Sequence, residues 1–310
     1  MKDINIKINN KQINIRLDKF LSSLYTNISI SNIQKFIRKK EITINNKKVD
    51  FNYVLKQNDV INFSKCIENI MKNPVNQVEK NNSNTVENKY IKLFKDSIIF
   101  ENEDLIIINK PYNLPVQGGT KVDIDVDSII KTINKLENKS LKLVHRIDKT
   151  TTGILVIAKN FESANALTKM FKDKSQIQKT YLALVDGTPT KKEGTIDFPL
   201  LKKIEDNEEK VYRDDKNGKK AITKYKVLKT FNTYSLVEAQ ILTGRTHQIR
   251  VHLKEINHPI LGDFKYNKNK NKNISSTHLQ LHAYKIKFKL FNNLIDITCP
   301  IPDSMEKFIF

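Results

Sequence analysis

Apolar positions along the chain follow two different rhythms, and the change between them divides the sequence. Between residues 13 and 63, Leu17, Phe20, Leu21 and Leu24, and then Ile33, Phe36 and Ile37, fall at helical spacing and predict two short helices. Ser31 stands where it can cap the second of them, and the ITINNKKV stretch that follows alternates and then turns at Asn45-Asn46, as a hairpin does. From about residue 65 to 90 neither rhythm is present, and the Asn-rich run MKNPVNQVEKNNSNTVENKY reads as a linker. Beyond it, DSIIFENEDLIIINKP brings a first pair of strands, and strand-like runs recur to the end with helices between them. No internal repeat is present, and strands do not alternate regularly with long helices. The expectation is therefore an α+β chain: a small α+β unit at 1–64, a polar linker at 65–90, and a larger domain at 91–310 on a mixed, largely antiparallel sheet.

Composition narrows the class without deciding it. A length of 310 residues suits one large domain with a small one appended, and 39% hydrophobic with 28% charged residues is ordinary for a soluble globular protein. No apolar run approaches the roughly 20 residues of a membrane-spanning helix, and the start MKDINIKINN lacks the apolar core of a signal peptide, so the expected location is cytoplasmic. Cys66 and Cys299 stand apart with no metal-binding spacing. The formal charge of +20 points to a polyanionic partner such as nucleic acid, although Lys and Asn are so abundant throughout that compositional bias explains the charge equally well. Arginine is the sharper signal. The chain has six, Arg16, Arg38, Arg146, Arg213, Arg245 and Arg250, and uses Lys wherever plain charge suffices. Gly118, Gly119, Gly153 and Gly244, half of the eight glycines, cluster with most of those arginines in the same few motifs.

The densest motif is LKLVHRIDKTTTGILVIAKN, residues 141–160, where two apolar strand-like runs flank a loop from His145 to Gly153. Such a loop holds a carboxylate rigidly. On its chemistry alone Asp148 is a nucleophile, a general base or a loop-capping residue. Three further stretches accompany it: INKPYNLPVQGG at 108–119, the alternating strand QKTYLALVDG at 178–187 with Tyr181 and Ala183 on one face, and LTGRTHQIRVHLKEINHPILGD at 242–263. In the last, Thr246 can cap a helix whose buried face carries Ile249, Leu253 and Ile256, which puts Arg245 just before the helix start. Its charge and the helix dipole would both hold a nearby carboxylate ionised. His247, His252 and His258 lack ligand spacing, so no metal is expected.

HRIDKTTTGILVIAK resembles the signature loop of the large family of RNA pseudouridine synthases that act mainly on ribosomal RNA, with Ile147 and Thr152 as conservative departures. INKPYNLPV is similar to that family's KPxGLxV segment, with Asn113 in place of Gly. The N-terminal pattern RLDKFL…SISNIQKFIRKKEITINNKKV…QNDVINF resembles the S4 RNA-binding fold, with Lys40 and Asn46 where glycines are usual and Ile30 where Arg is frequent. The resemblance implies that Asp148 is the catalytic carboxylate. It further implies that Tyr181 stacks on a flipped uracil and helps remove its C5 proton, and that Arg245 makes the salt bridge to Asp148, with Arg250 as its substitute. Arg146 would fill the space the base leaves or pair with a phosphate. RNA contacts are expected from His145, Arg146 and Arg250 in the large domain and from Arg16, Ser31, Lys35, Arg38, Lys39 and Lys47 in the S4 unit. The paired Gly118-Gly119 and the KKAITKY strand look most like the subgroup that modifies several uridines of 23S rRNA. The implied reaction is an isomerisation needing no cofactor and no metal; the implied partner is RNA and the default state a monomer. A synthase acting on tRNA or other rRNA sites, a non-catalytic ribosome-assembly factor and a hydrolytic N-glycosidase are the alternatives, the last requiring a second acid that these motifs do not supply.

Overall fold

The computed structural model describes residues 5–9, 13–25, 28, 30–64, 67, 80–118, 124–173, 176–205, 208–267 and 278–310. Gly119, Cys66, most of the expected linker and most of the Asn/Lys run near 267–274 lie outside them. The chain forms two compact units, residues 1–85 and 86–310. Among the described residues no helix is long and apolar enough to cross a membrane.

The first unit runs β1 (Asn5–Lys7), α1 (Leu17–Leu24), α2 (Ile30–Arg38), β2 (Ile42–Ile44) and β3 (Val60–Phe63). The strands pair antiparallel in the order β1-β3-β2. Leu17, Leu21, Ile33 and Ile37, all fully buried, close the two helices onto Ile42 and Ile61. The helical spacing read from the sequence is thus the spacing of a core. Ser31 is not the cap of α2: Ile30 is already helical, so Ser31 sits exposed in the first turn. The turn at Asn45-Asn46 is left-handed at both residues (φ 50° and 61°), closing Ile44 onto Lys47, and Asn accepts that conformation at little cost.

α3 (Lys80–Asp96) begins inside the segment read as a linker. Among its described side chains Tyr90, Ile91 and Phe94, in the last turns, pack on the core of the second unit. A polar leading half hid the helix from periodicity. The second unit continues with β4 (Ile98–Glu101), β5 (Leu105–Lys110), α4 (Val126–Glu137), β6 (Lys142–Leu143), β7 (Thr152–Ala158), α5 (Phe161–Asp173), β8 (Ile177–Asp186), β9 (Glu193–Ile196), β10 (Leu200–Glu205), β11 (Glu208–Arg213), β12 (Thr223–Thr230), β13 (Tyr234–Ile241), α6 (Gln248–Glu255), β14 (Leu281–Leu290), β15 (Asn293–Thr298) and α7 (Asp303–Glu306). One sheet takes the order β4-β5-β7-β14-β8-β13-β12-β9, with β6 added on β7 and β15 on β14. Every pairing in it is antiparallel except β7 with β14. The sheet is therefore mixed and largely antiparallel, in an α+β fold as expected. β10 and β11 form a separate hairpin.

Residues alternate across the central strands as the pleat requires. Tyr181, Ala183 and Val185 of β8 join Val237 and Ala239 of β13 in the main core with Ile129, Ile130 and Leu167 from α4 and α5. Leu182, Leu184 and Leu236 turn to the opposite face, where Met305 and Ile309 cover them.

Candidate active site

The loop between β6 and β7 is fixed from both ends. At its exit β7 runs beside β14 in the one parallel register, Thr152 opposite His282 and Gly153 opposite Ala283. Thr152 Oγ1 lies 2.8 Å from His282 Nδ1. Gly153 has φ +99°, and a Cβ there would come within 2.4 Å of the Ala283 carbonyl oxygen, so only glycine lets the two strands meet. At the entry, His145 Nε2 accepts the Val156 amide at 2.8 Å and its ring stacks on Phe171 at 4.0 Å. Within the loop the Thr151 amide donates to the Asp148 carbonyl. Beneath it lies Lys110, fully buried, whose Nζ donates to the carbonyls of Pro111, Leu114 and Lys149 at 2.8, 2.9 and 3.0 Å. The lysine of the KP segment thus ties that segment to the residue following Asp148.

Asp148 opens onto a cleft of about 530 Å³ whose walls include Arg146, Tyr181, Arg245, His247, Arg250 and Leu281. Its partner in the cleft is Arg250, with Nη1 3.5 Å from Asp148 Oδ2. The other face of the same guanidinium is forked onto Asp263, Nε to Oδ2 and Nη2 to Oδ1, both at 2.8 Å. Arg245, expected to make this salt bridge, does not. Its Nε donates to the Lys220 carbonyl at 3.0 Å. The reason lies in where α6 begins. Thr246 is exposed and does not cap it; His247 occupies the cap position with φ 53°, and the Gln248 side chain satisfies the turn instead. Gln248 Oε1 accepts from the Arg245 amide and Thr243 Oγ1, and its Nε2 donates to the Ile222 carbonyl and Thr223 Oγ1. Starting the helix at Gln248 puts Arg250 on its buried face and leaves Arg245 in the preceding turn.

Two family models match the chain: RNA pseudouridylate synthase over residues 104–255, which include Asp148, Tyr181 and Arg250, and the S4 domain over residues 15–61. The chain is 40% identical over 279 residues to the ribosomal large subunit pseudouridine synthase C of Rickettsia conorii, covering 89% of this chain and 90% of that one. It belongs to the RNA pseudouridylate synthase family. The corresponding protein of Buchnera aphidicola is 36% identical over 91% of this chain and 88% of its own. Among solved structures, human RNA pseudouridylate synthase domain containing 4 is similar at 27% identity and a TM-score of 0.61, over 72% of this chain and 95% of that one.

Within this synthase fold, burial sets the charge state of most of the cleft. Tyr181 is pushed above the ordinary tyrosine range by burial first and by the negative charge of Asp148 second, so it rests as a neutral phenol. His247 is pulled down to about 4 by burial, against the opposing pull of Asp148. Burial also works against the charge of Arg250, but the hydrogen bonds it donates to Asp263 and the charges of Asp263 and Asp148 outweigh it, and the net shift is upward. Lys110 is drawn down to about 7 by burial, with Asp148 pulling the other way; three carbonyls around one Nζ call for the three N–H bonds that only an ammonium has.

The remaining residues singled out in the sequence fall into two groups. Arg146 is exposed at the cleft wall, whereas His145 is committed to Val156 and Phe171. In the S4 domain Ser31, Lys35, Arg38, Lys39 and Lys47 are exposed on or just after α2 and at the Asn45-Asn46 turn. Arg16 is tied at 2.8 Å to Asp18, a fully buried carboxylate that Gln34 also reaches. His252 and His258 serve the fold, bonding Thr223 with the Phe198 carbonyl and the Asp186 carbonyl respectively. Sequence reasoning missed Lys110, Gln248, Asp263 and Tyr266 as parts of the site. Lys110, Gln248 and Asp263 lay inside motifs already quoted and Tyr266 just beyond one, but the approach of Asp263 and Tyr266 to Arg250 comes only through tertiary folding.

Proposed function

We propose that the protein converts specific uridines of large-subunit ribosomal RNA to pseudouridine, with Asp148 as the catalytic carboxylate. One observation carries the reading: in a chain similar almost throughout to ribosomal large subunit pseudouridine synthases, the Asp148 carboxylate faces a cleft walled by Tyr181 and is met there by a guanidinium locked in place by Asp263. The reaction breaks N1–C1′, turns the uracil and forms C5–C1′; the C5 proton leaves and N1 gains one, so the net change is isomerisation. The target base has to leave its stack, at a cost of a few kcal/mol that contacts to the RNA backbone offset. Exposed Lys35, Arg38, Lys39 and Lys47 of the S4 domain, and Arg146 at the cleft, supply such contacts.

Attack on C1′, proton removal at C2′ and addition to C6 all require an ionised carboxylate beside the extruded nucleotide, and the Arg250 cation favours that form. Tyr181, neutral at rest, offers the uracil its ring and its O–H and is no ready base for the C5 proton. The test is pseudouridine mapping of total RNA from cells with and without the gene. Loss of pseudouridine at a few 23S positions is the expected result. Unchanged rRNA with altered tRNA would overturn the substrate, and free uracil released from RNA by the purified protein would overturn the reaction.

A further inference from the structure

His247 stands in the left-handed region, φ 53°, immediately before α6. Histidine is one of the few non-glycine types that region favours, and the contacts around the ring hold it there. Its imidazole bridges two groups of the cleft. Nδ1 lies 2.7 Å from the Tyr266 hydroxyl, and Nε2 lies 3.7 Å from Asp148 Oδ2. Tyr266 is itself fixed: its oxygen accepts the Val211 amide at 3.0 Å, and the Arg250 guanidinium sits over its ring at 5.0 Å.

These contacts select a tautomer. Burial pushes the Tyr266 phenol up to about 12 and the His247 imidazole down to about 4, so at neutral pH both are uncharged. The phenol oxygen already accepts from Val211, and among the described residues His247 Nδ1 is the one acceptor recorded for its proton. Nδ1 therefore accepts, and the ring hydrogen sits on Nε2, the nitrogen that faces Asp148. The same oxygen, Oδ2, is the one Arg250 Nη1 faces at 3.5 Å. Two donors thus converge on Oδ2, while no partner for Oδ1 is recorded among the described residues. Both gaps are longer than a tight hydrogen bond, as is common in catalytic sites before substrate closes them.

We infer that His247 is a positioning residue: with Arg250 it anchors Oδ2 of Asp148, through an Nε2–H that Tyr266 fixes, and so turns Oδ1 toward the extruded nucleotide. This rests on the catalytic reading of Asp148 proposed above.

The test combines a spectroscopic readout of the intact protein with four variants. The histidine ring ¹⁵N shifts of the full-length protein at pH 7 should report His247 as the Nε2–H tautomer, and Tyr266→Phe should turn it into a mixture. His247→Leu should lower kcat by at least about tenfold with KM within about twofold. His247→Gln, whose amide N–H reaches the Nε2 position, should recover kcat to within about threefold of wild type. Leu and Gln share the same unfavourable φ, so the difference between them isolates the N–H. An Nδ1–H tautomer in the wild-type protein would overturn the inference, as would His247→Leu with kcat unchanged while Asp148→Asn is inactive. Turnover by Asp148→Asn at the wild-type rate would overturn the catalytic reading beneath it, a result distinguishable because the tautomer would still be as stated.

Discussion

Arg250 and Arg245 differ in what their guanidiniums already hold, and that difference assigns their roles. Arg250 forks onto the buried carboxylate of Asp263 and keeps Nη1 for Asp148, whereas Arg245 is committed to the Lys220 carbonyl. An ammonium cannot reproduce the fork. Arg250→Lys should therefore lower kcat by about a hundredfold, some 2.7 kcal/mol of transition-state stabilisation, while Arg245→Lys costs no more than about threefold in steady-state turnover on RNA. Lys40, Asn46 and Asn113, which stand where related motifs carry glycine, have φ values of 62°, 61° and 64°. The backbone shape has been kept and the glycine lost. Asn tolerates this better than Lys, so Lys40→Gly should raise the urea-unfolding free energy by about 0.5–1 kcal/mol, the left-handed strain relieved less the backbone entropy of glycine. A destabilised Lys40→Gly protein would contradict that account.

At the scale of elements, the site depends on β7 and β14 running side by side at Gly153 and Ala283. Gly153→Ala places a methyl group within 2.4 Å of a backbone oxygen that cannot move without breaking the sheet. It should cost more than about 3 kcal/mol in thermal or chemical unfolding. The strand leaving the Asp148 loop was legible in the sequence because β7 is an unbroken uncharged run, every residue of it buried, bounded by the charged loop before it and Lys159 after it. α6 was legible as a helix, since Ile249 and Leu253 do face the core. Its start was not. Moving the first helical residue from just after Thr246 to Gln248 decides which arginine meets Asp148, and what fixes it is a Gln side chain bonding to β12, some 25 residues earlier in sequence. The helix of residues 80–96 escaped for a different reason: its sequence opens with the polar run KNNSNT, and among its described side chains Tyr90, Ile91 and Phe94 are the ones that pack on the core. Asp263 lies 13 residues beyond Arg250, and no local pattern announces their pairing.

On the scale of the whole molecule, the fold excludes protons from several imidazoles. Burial pulls His145 to about 3 and His247 and His282 each to about 4, against an ordinary value of 6.5. Above 6.5 both folded and unfolded chains hold these rings neutral; below it the unfolded chain takes up protons that the native chain refuses. Their stabilising contribution is thus complete above pH 6.5 and is lost progressively as pH falls toward 4. The urea midpoint should be flat from pH 7 to 8 and fall steeply from 6 to 4, with an uptake of about three protons on unfolding near pH 5. A midpoint unchanged down to pH 4 would contradict the buried, neutral assignment. The charge of +20 adds a second global expectation, that RNA affinity falls linearly with the logarithm of salt concentration. In the proposed reaction catalysis rests on one carboxylate, and isomerisation expels the proton on uridine C5. Tritium release from large-subunit rRNA labelled at uridine C5, followed for wild type and Asp148→Asn beside their RNA dissociation constants, tests it most directly. The account predicts no release above background from Asp148→Asn with its RNA affinity within about threefold of wild type. Release within about tenfold of the wild-type rate would remove Asp148 from the mechanism.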